Sequence, residues 1–262
     1  MKFCTLFSGS SGNAAYIEHE NTRILLDAGQ GVLVIKRALA ALGREYKDLT
    51  AILLTHDHSD HVRGVAPIAR RCGVPIYGPR AVLRAMVESS ADLMPDRLTA
   101  FAGEGPFQIG SLRIMPFETP HDATASVGYL IETGDGKRLG VATDLGYVPE
   151  PVYDKLAGAD FVLIESNYDE ELLRRGSYPY PLKQRILSDH GHLSNADCAA
   201  CICRLCGSGT RHFLLGHLSR ENNLPQLAMQ AAVQRLEAEG YAPGEVTVDV
   251  APRDTPSRMF EF

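Results

Sequence analysis

The feature that most constrains this chain is the segment THDHSDH, residues 55–61, which follows the apolar run AILL and is called the histidine motif below. His56 and His58 stand two apart, so at the extended end of a strand both side chains point the same way and can bind one cation. Asp60 and His61 project differently, which suits a second, adjacent ion. Imidazole and carboxylate ligands favour zinc, with manganese or iron as alternatives. The motif predicts two divalent metal ions, because four ligand-type residues in six positions are hard to explain as ordinary polar residues at a strand end.

Three further polar residues follow apolar runs and can complete the two coordination shells. His121 ends the segment MPFETPH, Asp144 follows LGVAT, and His217 follows HFLLG. Two ions need more ligands than the histidine motif alone supplies. We therefore predict that these strand ends meet at the motif.

The hydrophobic pattern predicts strands and helices on both sides of a strand-rich middle. Short strands are expected within residues 2–27, and longer apolar runs predict strands at 51–54, 74–77, 107–109, 112–117, 127–132, 138–142, 161–164, 212–215 and 246–250. Helices are predicted at 32–42, 61–72, 79–88, 150–156, 195–206 and 224–239. This order fits an α/β fold in which two mixed β-sheets are flanked by helices, an αββα sandwich. A chain of 262 residues can bury one large core, so residues 1–262 are predicted to form a single domain.

The charge of the chain argues against a protein that coats nucleic acid through bulk charge, because its formal net charge is -6. The distribution is uneven, however, and the stretch from Arg174 to Arg220 contains seven basic residues against two acidic ones. Either a local anion-binding surface or a solvated face would give this bias. The amino-terminal segment MKFCTLFSGSSGN reaches Ser-Gly-Ser-Ser-Gly too soon to form an apolar signal core, and no run of about 18 apolar residues occurs later. We therefore expect no signal segment, no membrane span and a cytoplasmic protein.

The six cysteines are predicted to be reduced thiols. Four of them lie in the helix expected at 195–206, where only some pairs could meet. Cys198 and Cys201 share one face of that helix, so they act as small apolar core residues behind a cap at Ser194 or Asn195. A metal or iron–sulfur site is the alternative.

An HxHxDH motif followed by separate His, Asp and His residues resembles the metallo-β-lactamase superfamily, over essentially the whole chain. The resemblance assigns ligands to two ions: His56, His58 and His121 to one, Asp60, His61 and His217 to the other, and Asp144 to both. Asp27, which ends the strand RILLD, matches an early aspartate that usually braces the ligand loop, with a loop-capping Asp as the alternative. Redox relatives carry a glutamate in place of the second histidine, so His58 favours hydrolysis.

Hydrolysis is the chemistry implied by this ligand set, since two cations about 3.5 to 4 Å apart can share a water, lower its pKa and stabilise both oxygens of an in-line displacement. Glu165 in VLIESNYD and His192 in DHGHLSN resemble the pair that protonates the leaving alkoxide in nuclease branches of the superfamily. The alternatives are a helix-capping Glu165 with a surface His192, and His190 as the proton donor. The catalytic candidates are Asp27, Asp60, Glu165 and His192.

Three longer segments narrow the resemblance to the YycJ/WalJ group, whose members are regarded as DNA exonucleases that work from the 5′ end. These segments are GSSGN, SYPYPLKQRILSDHGHLSN and LLGHLSRENN. The chain departs from RNA-degrading relatives with an inserted cap domain, because only 72 residues separate Asp144 from His217. The resemblance implies a two-metal phosphodiesterase, a 5′ to 3′ exodeoxyribonuclease that uses metal-bound hydroxide on DNA. The alternatives are a small-molecule hydrolase acting on a thioester, lactone or cyclic phosphodiester, and a non-catalytic signalling protein.

Candidate substrate contacts surround the predicted ligands. The Gly-rich loop at residues 8–13 offers backbone N–H groups together with the side chains of Ser10 and Asn13. Further contacts with phosphate or with the nucleic-acid backbone are predicted for Ser219, Arg220, Lys183 and Arg185. Tyr178 and Tyr180 could stack on unpaired bases. A plain turn in the Gly-rich loop and a rigid Tyr-Pro loop are the alternatives.

Overall fold

The computed structural model of the protein describes residues 1–89, 93–103 and 105–262. Its strands, in chain order, are β1 (Lys2–Phe7), β2 (Ala14–His19), β3 (Thr22–Leu26), β4 (Ala51–Leu53), β5 (Ile76–Pro79), β6 (Leu98–Phe101), β7 (Phe107–Ile109), β8 (Leu112–Glu118), β9 (Val127–Thr133), β10 (Arg138–Ala142), β11 (Phe161–Glu165), β12 (His212–Gly216), β13 (Thr247–Val250) and β14 (Phe260–Glu261). Its helices are α1 (Val32–Ala41), α2 (Ser59–Val62), α3 (Val65–Cys72), α4 (Arg80–Ser89), α5 (Glu150–Leu156), α6 (Glu170–Arg175), α7 (Tyr180–Ile186), α8 (Asn195–Gly207) and α9 (Pro225–Ala238). Single 3₁₀ turns occur at Tyr46–Asp48 and Pro95–Arg97. Within the described ranges, no helix is long and apolar enough to span a membrane.

The strands form two seven-stranded sheets of similar design. The first sheet has the order β14-β1-β2-β3-β4-β5-β6, and the second has the order β13-β12-β11-β10-β9-β8-β7. In the first sheet β3 to β6 run parallel, in the second β10 to β13 run parallel, and the remaining neighbours pair antiparallel. Each mixed sheet therefore has an edge at which the carboxyl ends of several parallel strands lie side by side.

Apolar residues on both faces of the central strands explain the layered packing. In β3, Ile24 and Leu26 belong to the core between the two sheets, whereas Leu25 belongs to the core beneath α1, α3 and α4. In β11, Leu163 faces the same inter-sheet core, and Ile164 packs in the core beneath α5, α8 and α9. Near-continuous apolar strands of this kind are expected where both faces of a sheet are covered. The αββα sandwich predicted from the sequence is thereby confirmed, while a single domain over residues 1–262 stays a prediction.

One predicted helix is divided in the structure. The pattern predicted one helix at 61–72, but α2 ends before α3 begins, and Gly64 lies in the break. The N–H of Gly64 donates to the carbonyl oxygen of Ala28 at 2.7 Å, and a Cβ atom at this position would overlap the carbonyl oxygen of Gln30. A contact with a distant loop thus overrides the local helical pattern.

Other elements differ from the prediction in position or were missed. Strand β5 begins two residues later than the predicted 74–77 and ends at Pro79, which the pattern had placed at the start of a helix. Four elements, β6, β14, α6 and α7, lie outside the segments predicted from the hydrophobic pattern. Helix α7 begins within the Tyr-Pro segment, where Pro181 occupies the first turn, a position that needs no N–H donor.

The cysteine-rich helix α8 packs as the sequence predicted. Its cap is Ser194, whose Oγ accepts from the N–H of Asp197 at 3.0 Å. Cys198, Cys201 and Cys206 are buried in the core beneath this helix. The six cysteines are unpaired in the structure, and no metal-binding group found among the described residues contains one. The core position predicted for Cys198 and Cys201 is confirmed, and the reduced state of the six thiols stays a prediction.

Backbone hydrogen bonds join three loops at one edge of the first sheet. The N–H of Asn13, in the Gly-rich loop, donates to the carbonyl oxygen of Asp60 at 2.7 Å, and the N–H of Gly29 donates back to the carbonyl oxygen of Asn13 at 2.8 Å. The N–H of Ala28 donates to the carbonyl oxygen of His61 at 2.7 Å. These bonds fix the path of the histidine motif after it leaves β4.

Replacing Gly29 with Ala should disturb this junction, because the new methyl group would overlap the carbonyl oxygen of Asp60 and the nitrogen of Asn13. Overpacking of this kind typically costs about 1–3 kcal/mol, or several degrees in Tm for a chain of this size. Gly31→Ala is the matched control, since nothing lies within 4 Å of its added methyl group. Thermal unfolding and bound-metal content should both fall for Gly29→Ala alone, and equal values for the two variants would contradict the packing argument.

Candidate metal centre

Residues at the ends of five strands, taken from both sheets, meet in one cluster. Asp27 and the histidine motif follow β3 and β4 of the first sheet, whereas Asp144, Glu165 and His217 stand at or just past the ends of β10, β11 and β12 in the second. Asp27, Asp144 and His217 have left-handed backbones, with φ of 56°, 59° and 55°. Such conformations cost roughly 1–2 kcal/mol per non-glycine residue. The surrounding fold therefore directs these side chains inward against a local preference.

The first ligand group consists of His56, His58 and His121, whose ring nitrogens all lie within 4.8 Å of one another. Nε2 of His121 lies 3.3 Å from Nδ1 of His58. His56 is fully buried, and its Nε2 atom has no hydrogen-bond partner among the described residues. Three converging imidazole nitrogens match three of the four ligands of a tetrahedral site.

The second ligand group consists of Asp60, His61 and His217. Oδ2 of Asp60 lies 3.7 Å from Nε2 of His61 and 3.7 Å from Nε2 of His217. Asp144 lies between the two groups, with Oδ2 at 3.4 Å from Nε2 of His61 and Oδ1 at 3.9 Å from Nε2 of His121. The structure thus brings together all seven predicted ligands, and their division between two ions stays a prediction.

Outer hydrogen bonds determine which ring nitrogen faces the cluster. Nδ1 of His61 lies 2.8 Å from Oδ2 of Asp27, and Nδ1 of His121 lies 3.0 Å from the carbonyl oxygen of Gly191. A ring that donates outward from Nδ1 leaves Nε2 free as a metal ligand. Asp27 also accepts from the N–H of Thr55 at 2.9 Å and from its hydroxyl at 2.8 Å. This geometry supports the bracing role predicted for Asp27.

Glu165 connects the predicted proton donor to a predicted ligand. Its side chain is fully buried, and Oε1 lies 2.8 Å from Nδ1 of His192 and 2.8 Å from Nδ1 of His217. Its Oε2 accepts from the N–H of Leu145 at 3.0 Å. None of these three contacts caps a helix, and His190 is exposed at the surface. The geometry favours His192 over His190 as the partner of Glu165, and the catalytic roles of both residues stay predictions.

Buried carboxylates give the cluster a preference for positive charge. Burial lowers the pKa of His61, but the charges of Asp144 and Asp27 outweigh it and raise that pKa to about 9. The pKa of His217 is raised well above its ordinary value by a similar balance between burial and the Asp144 charge. Burial among other histidines holds the pKa of His56 well below its ordinary value, so this ring is neutral, as a metal ligand must be. The field that favours protons on His61 and His217 would equally favour a divalent cation.

Unpaired buried atoms test whether metal ions fit. Nε2 of His56, Oδ2 of Asp144 and Nε2 of His217 are buried and have no hydrogen-bond partner among the described residues. An unpaired buried polar atom typically costs about 1–3 kcal/mol, so native proteins rarely tolerate several together. A cation coordinated by these atoms would satisfy them and offset the carboxylate charges. The imidazole and carboxylate donor set fits divalent metal ions.

A cleft of about 240 Å³ opens onto the cluster. Its walls include His192, the predicted substrate contacts Ser10 and Ser219, and Tyr178. Tyr180 lies at the start of α7 with 73 % of its surface exposed. These positions are compatible with substrate contact. Such contact stays a prediction for Ser10, Ser219, Tyr178 and Tyr180.

The basic residues predicted to contact a nucleic-acid backbone are engaged within the protein. Arg185 forms a bidentate ion pair with Asp122, a residue that the sequence analysis missed although it directly follows a predicted ligand. Arg220 lies 3.4 Å from Asp254, and Nζ of Lys183 donates to two backbone carbonyls at the end of α6. The other basic residues of this stretch also pair with acidic side chains or carbonyl groups. Each basic residue of this stretch thus has a partner within the protein, and Arg185 and Arg220 would have to exchange partners to bind phosphate.

Two amide side chains contact the ligand residues. Nδ2 of Asn13 lies 3.2 Å from Oδ2 of Asp60 and 2.9 Å from Nε2 of His61, so this predicted substrate contact touches two predicted ligands. Asn167, which the sequence analysis missed, donates from Nδ2 to the carbonyl oxygen of His217 at 2.8 Å and lines the cleft. Its position just past the end of β11 was the available signal.

Comparison with known proteins adds to this geometry. A family model described as "Beta-lactamase superfamily domain" matches residues 22–218 of the chain. The chain belongs to the metallo-β-lactamase superfamily. This superfamily member is 41 % identical over 239 residues to "Exodeoxyribonuclease WalJ" from Streptococcus pneumoniae, a match that covers 90 % of this chain and 88 % of that protein.

Two further matches extend the likeness. "Exodeoxyribonuclease YycJ" from Bacillus anthracis is 33 % identical over 245 residues, covering 94 % of this chain and 92 % of the relative. The crystal structure of the metallo-β-lactamase fold protein YhfI from Bacillus subtilis has a TM-score of 0.74 at 17 % identity and covers 98 % of both chains, which shows a common fold. The resemblance to the superfamily and to its YycJ/WalJ group is confirmed, and this superfamily member is a metal-dependent hydrolase.

Removing metal with a chelator should lower the Tm of the protein, because the carboxylates of the cluster then lose their counter-charge. Nε2 of His56, Oδ2 of Asp144 and Nε2 of His217 are then also left without a partner among the described residues. At a free ion concentration about 100 times its Kd, binding stabilises the fold by about 2.7 kcal/mol, which corresponds to roughly 5–10 °C here. Differential scanning fluorimetry with added Zn²⁺ or Mn²⁺ measures the recovery. Asp144→Asn should lose most of that recovery, and a full recovery in this variant would contradict its place between the ligand groups.

Proposed function

We propose that the protein is a two-metal phosphodiesterase that removes nucleotides from DNA in the 5′ to 3′ direction. The observation that carries this proposal is the contact of 2.8 Å between Nδ1 of His192 and Oε1 of Glu165, beside the ligand cluster. A positioned proton donor matters most when the departing oxygen is a strong base, as a sugar hydroxyl is. Thioesters and lactones with better leaving groups need such a pair less.

The relatives support the choice of substrate. Two proteins that match about nine-tenths of the chain carry the name exodeoxyribonuclease. Their names describe those proteins, and we extend the activity to this chain because its predicted ligands and its Glu165–His192 pair form one cluster, part of which lines the cleft. DNA is therefore the proposed partner.

The residues of the chain would divide the chemical work. When bound, two divalent cations would activate a water and stabilise the charge that develops on the phosphate. His192 lines the cleft, and with Nδ1 directed at Glu165 its Nε2 is left to hold the proton that the leaving oxygen receives. The buried carboxylate of Glu165 stabilises the protonated ring by a charge-assisted hydrogen bond.

Phosphate contacts would come from loops beside the ligands. Oγ of Ser219 accepts from the N–H of Asn222 at 3.2 Å, so its own hydrogen can be donated to a phosphate oxygen. Ser10 is exposed in the Gly-rich loop on the same cleft. Arg185 would have to leave Asp122, and because this ion pair is at the surface the exchange costs little.

Three finer points belong to the same proposal. Zinc is the proposed ion, with manganese or iron as alternatives, because imidazole and carboxylate ligands suit all three. A cytoplasmic location is supported by the six free cysteines, since disulfides are common in exported proteins and rare in the cytosol. We also propose that residues 1–262 act as one domain, because the ligands come from both sheets.

Replacing His192 with Ala should separate a nuclease from a small-molecule hydrolase. Loss of the proton donor should slow DNA hydrolysis by on the order of 10² to 10⁴, yet barely slow bis-p-nitrophenyl phosphate, whose leaving group departs unaided. Exposed His190→Ala is the matched control and should leave both rates unchanged. Equal slowing of both substrates by His192→Ala, with metal content intact, would refute the proposed role.

Glu165→Gln gives a less selective result than His192→Ala. Because Oε1 of Glu165 also contacts His217, this variant should lower metal affinity as well as DNA hydrolysis. Metal titration followed by calorimetry measures the first effect, and rates at saturating metal measure the second. An unchanged metal affinity would show that the contact with His217 has no part in ligand positioning.

Cleavage polarity can be tested with duplex DNA that carries a fluorophore at one end only. The proposed direction predicts that a 5′ label is released early as a short product, whereas a 3′ label stays on long fragments until late in the reaction. His192→Ala protein purified in the same way is the control for contaminating nucleases. Early release of the 3′ label would reverse the proposed polarity without affecting the assignment of the catalytic residues.

A further inference from the structure

A second cavity, of about 410 Å³, lies at the same edge of the first sheet as the metal centre. It is formed where β5 and β6 end, beside β4, whose carboxyl end leads into the histidine motif. Ligands of α/β proteins bind preferentially outside the carboxyl ends of parallel strands. The volume falls within the range of small-molecule pockets.

The cavity and the metal centre share a wall, the connection between β8 and β9. This connection carries the predicted ligand His121, while its residues Thr119, Thr124 and Ser126 line the cavity. Asp57 of the histidine motif ties the wall in place, since its carboxylate accepts from the N–H of Thr124 at 3.2 Å and from the Thr124 hydroxyl. A substrate chain that enters the cleft at the metal centre would therefore have this cavity beside it, separated only by the connection between β8 and β9.

The lining of the cavity combines an aromatic ring, two hydroxyl groups that contact each other, and the side chain of one arginine. Phe101 is held by stacking on Phe107, with ring centroids 4.9 Å apart. The hydroxyls of Thr119 and Ser126 lie 2.7 Å apart, and each can donate or accept. Arg80 is exposed at the cavity, and the described part of the chain gives its guanidinium no acidic partner.

We propose that this cavity binds the nucleoside next to the scissile phosphate of an unpaired DNA end, an inference that rests on the proposed function. The base would stack on Phe101, its edge would bond the hydroxyls of Thr119 and Ser126, and Arg80 would pair with a backbone phosphate. The carboxylate of Glu118 on the lining disfavours a bare phosphate as the occupant. Stacking and hydroxyl contacts accept every base, so the pocket serves binding without sequence preference.

The test compares DNA that is intact with DNA that lacks one base, at the nucleotide next to the scissile bond, using the metal-loaded full chain. Stacking on an aromatic side chain contributes about 1–3 kcal/mol per base, so removal of the base should raise the KM of the unmodified protein by roughly 5- to 150-fold. Ala102→Trp fills the cavity from an exposed position. It should raise KM for intact DNA and abolish the difference between the two substrates.

Two further variants separate a lost pocket from a damaged fold. Ala100→Trp, at an exposed position of β6 that does not line the cavity, should keep the difference seen in the unmodified protein. Phe101→Leu keeps an apolar side chain but removes the flat ring, and should reduce the difference to a few-fold. Ala100→Trp should also hydrolyse bis-p-nitrophenyl phosphate at the rate of the unmodified protein, because Ala100 lies outside both the cavity and the metal centre.

Each outcome decides between the two proposals. If the unmodified protein cleaves DNA but does not distinguish the abasic substrate, or if Ala102→Trp retains the distinction, the pocket is wrong and the nuclease stands. If the protein hydrolyses bis-p-nitrophenyl phosphate but no DNA, the nuclease and the pocket are both wrong. Loss of the distinction in Ala102→Trp and its retention in Ala100→Trp would establish the pocket.

Discussion

The arrangement of the histidine motif depends on one buried carboxylate, that of Asp27. It accepts hydrogen bonds from the backbone and the hydroxyl of Thr55 and lies 2.8 Å from Nδ1 of His61. A carboxylate is an acceptor-only group with room for several donors, so one side chain can fix a backbone and a ring together. The left-handed backbone of Asp27 directs the group at the motif from the neighbouring strand. The pairing of β3 with β4 thereby fixes the position of the histidine motif relative to Asp27.

Glu165 plays the corresponding part in the second sheet, with a different consequence. One of its oxygens contacts both His192 and His217, so the same charge orients a proposed proton donor and a predicted metal ligand. If the two proposed roles hold, metal binding and proton donation would be coupled through this single atom. The basic residues between Arg174 and Arg220 differ from this cluster, because most of them lie at the surface and pair with acidic side chains, as Arg185 does with Asp122. Specific chemistry is concentrated at the cluster and not in the general charge of the face.

Residues that follow apolar runs were predictable because a strand end fixes where the next side chain points, which is why Asp144 and His217 could be assigned from the sequence. Helices α6 and α7 were missed because they are short, although Asp169 caps α6 and Pro181 lies in the first turn of α7. Lys183 of α7 also bonds carbonyls at the end of α6, a contact between two elements that the sequence pattern does not show. The pairing of Arg185 with Asp122 joins residues 63 positions apart, and the helix break at Gly64 depends on a distant loop. Tertiary contacts of this kind leave no local pattern.

The predicted ligands come from both sheets, and this has a mechanical consequence for the sandwich. His56 and His58 extend from the first sheet, and His121 extends from the second. The facing surfaces of the sheets pack mainly through apolar side chains, whose attraction has no direction and permits small sliding movements. Coordinate bonds have both length and direction. A cation shared by these histidines would add a further directional link between the two sheets at this edge, beside hydrogen bonds such as the one that the Tyr129 hydroxyl donates to the carbonyl oxygen of Leu54.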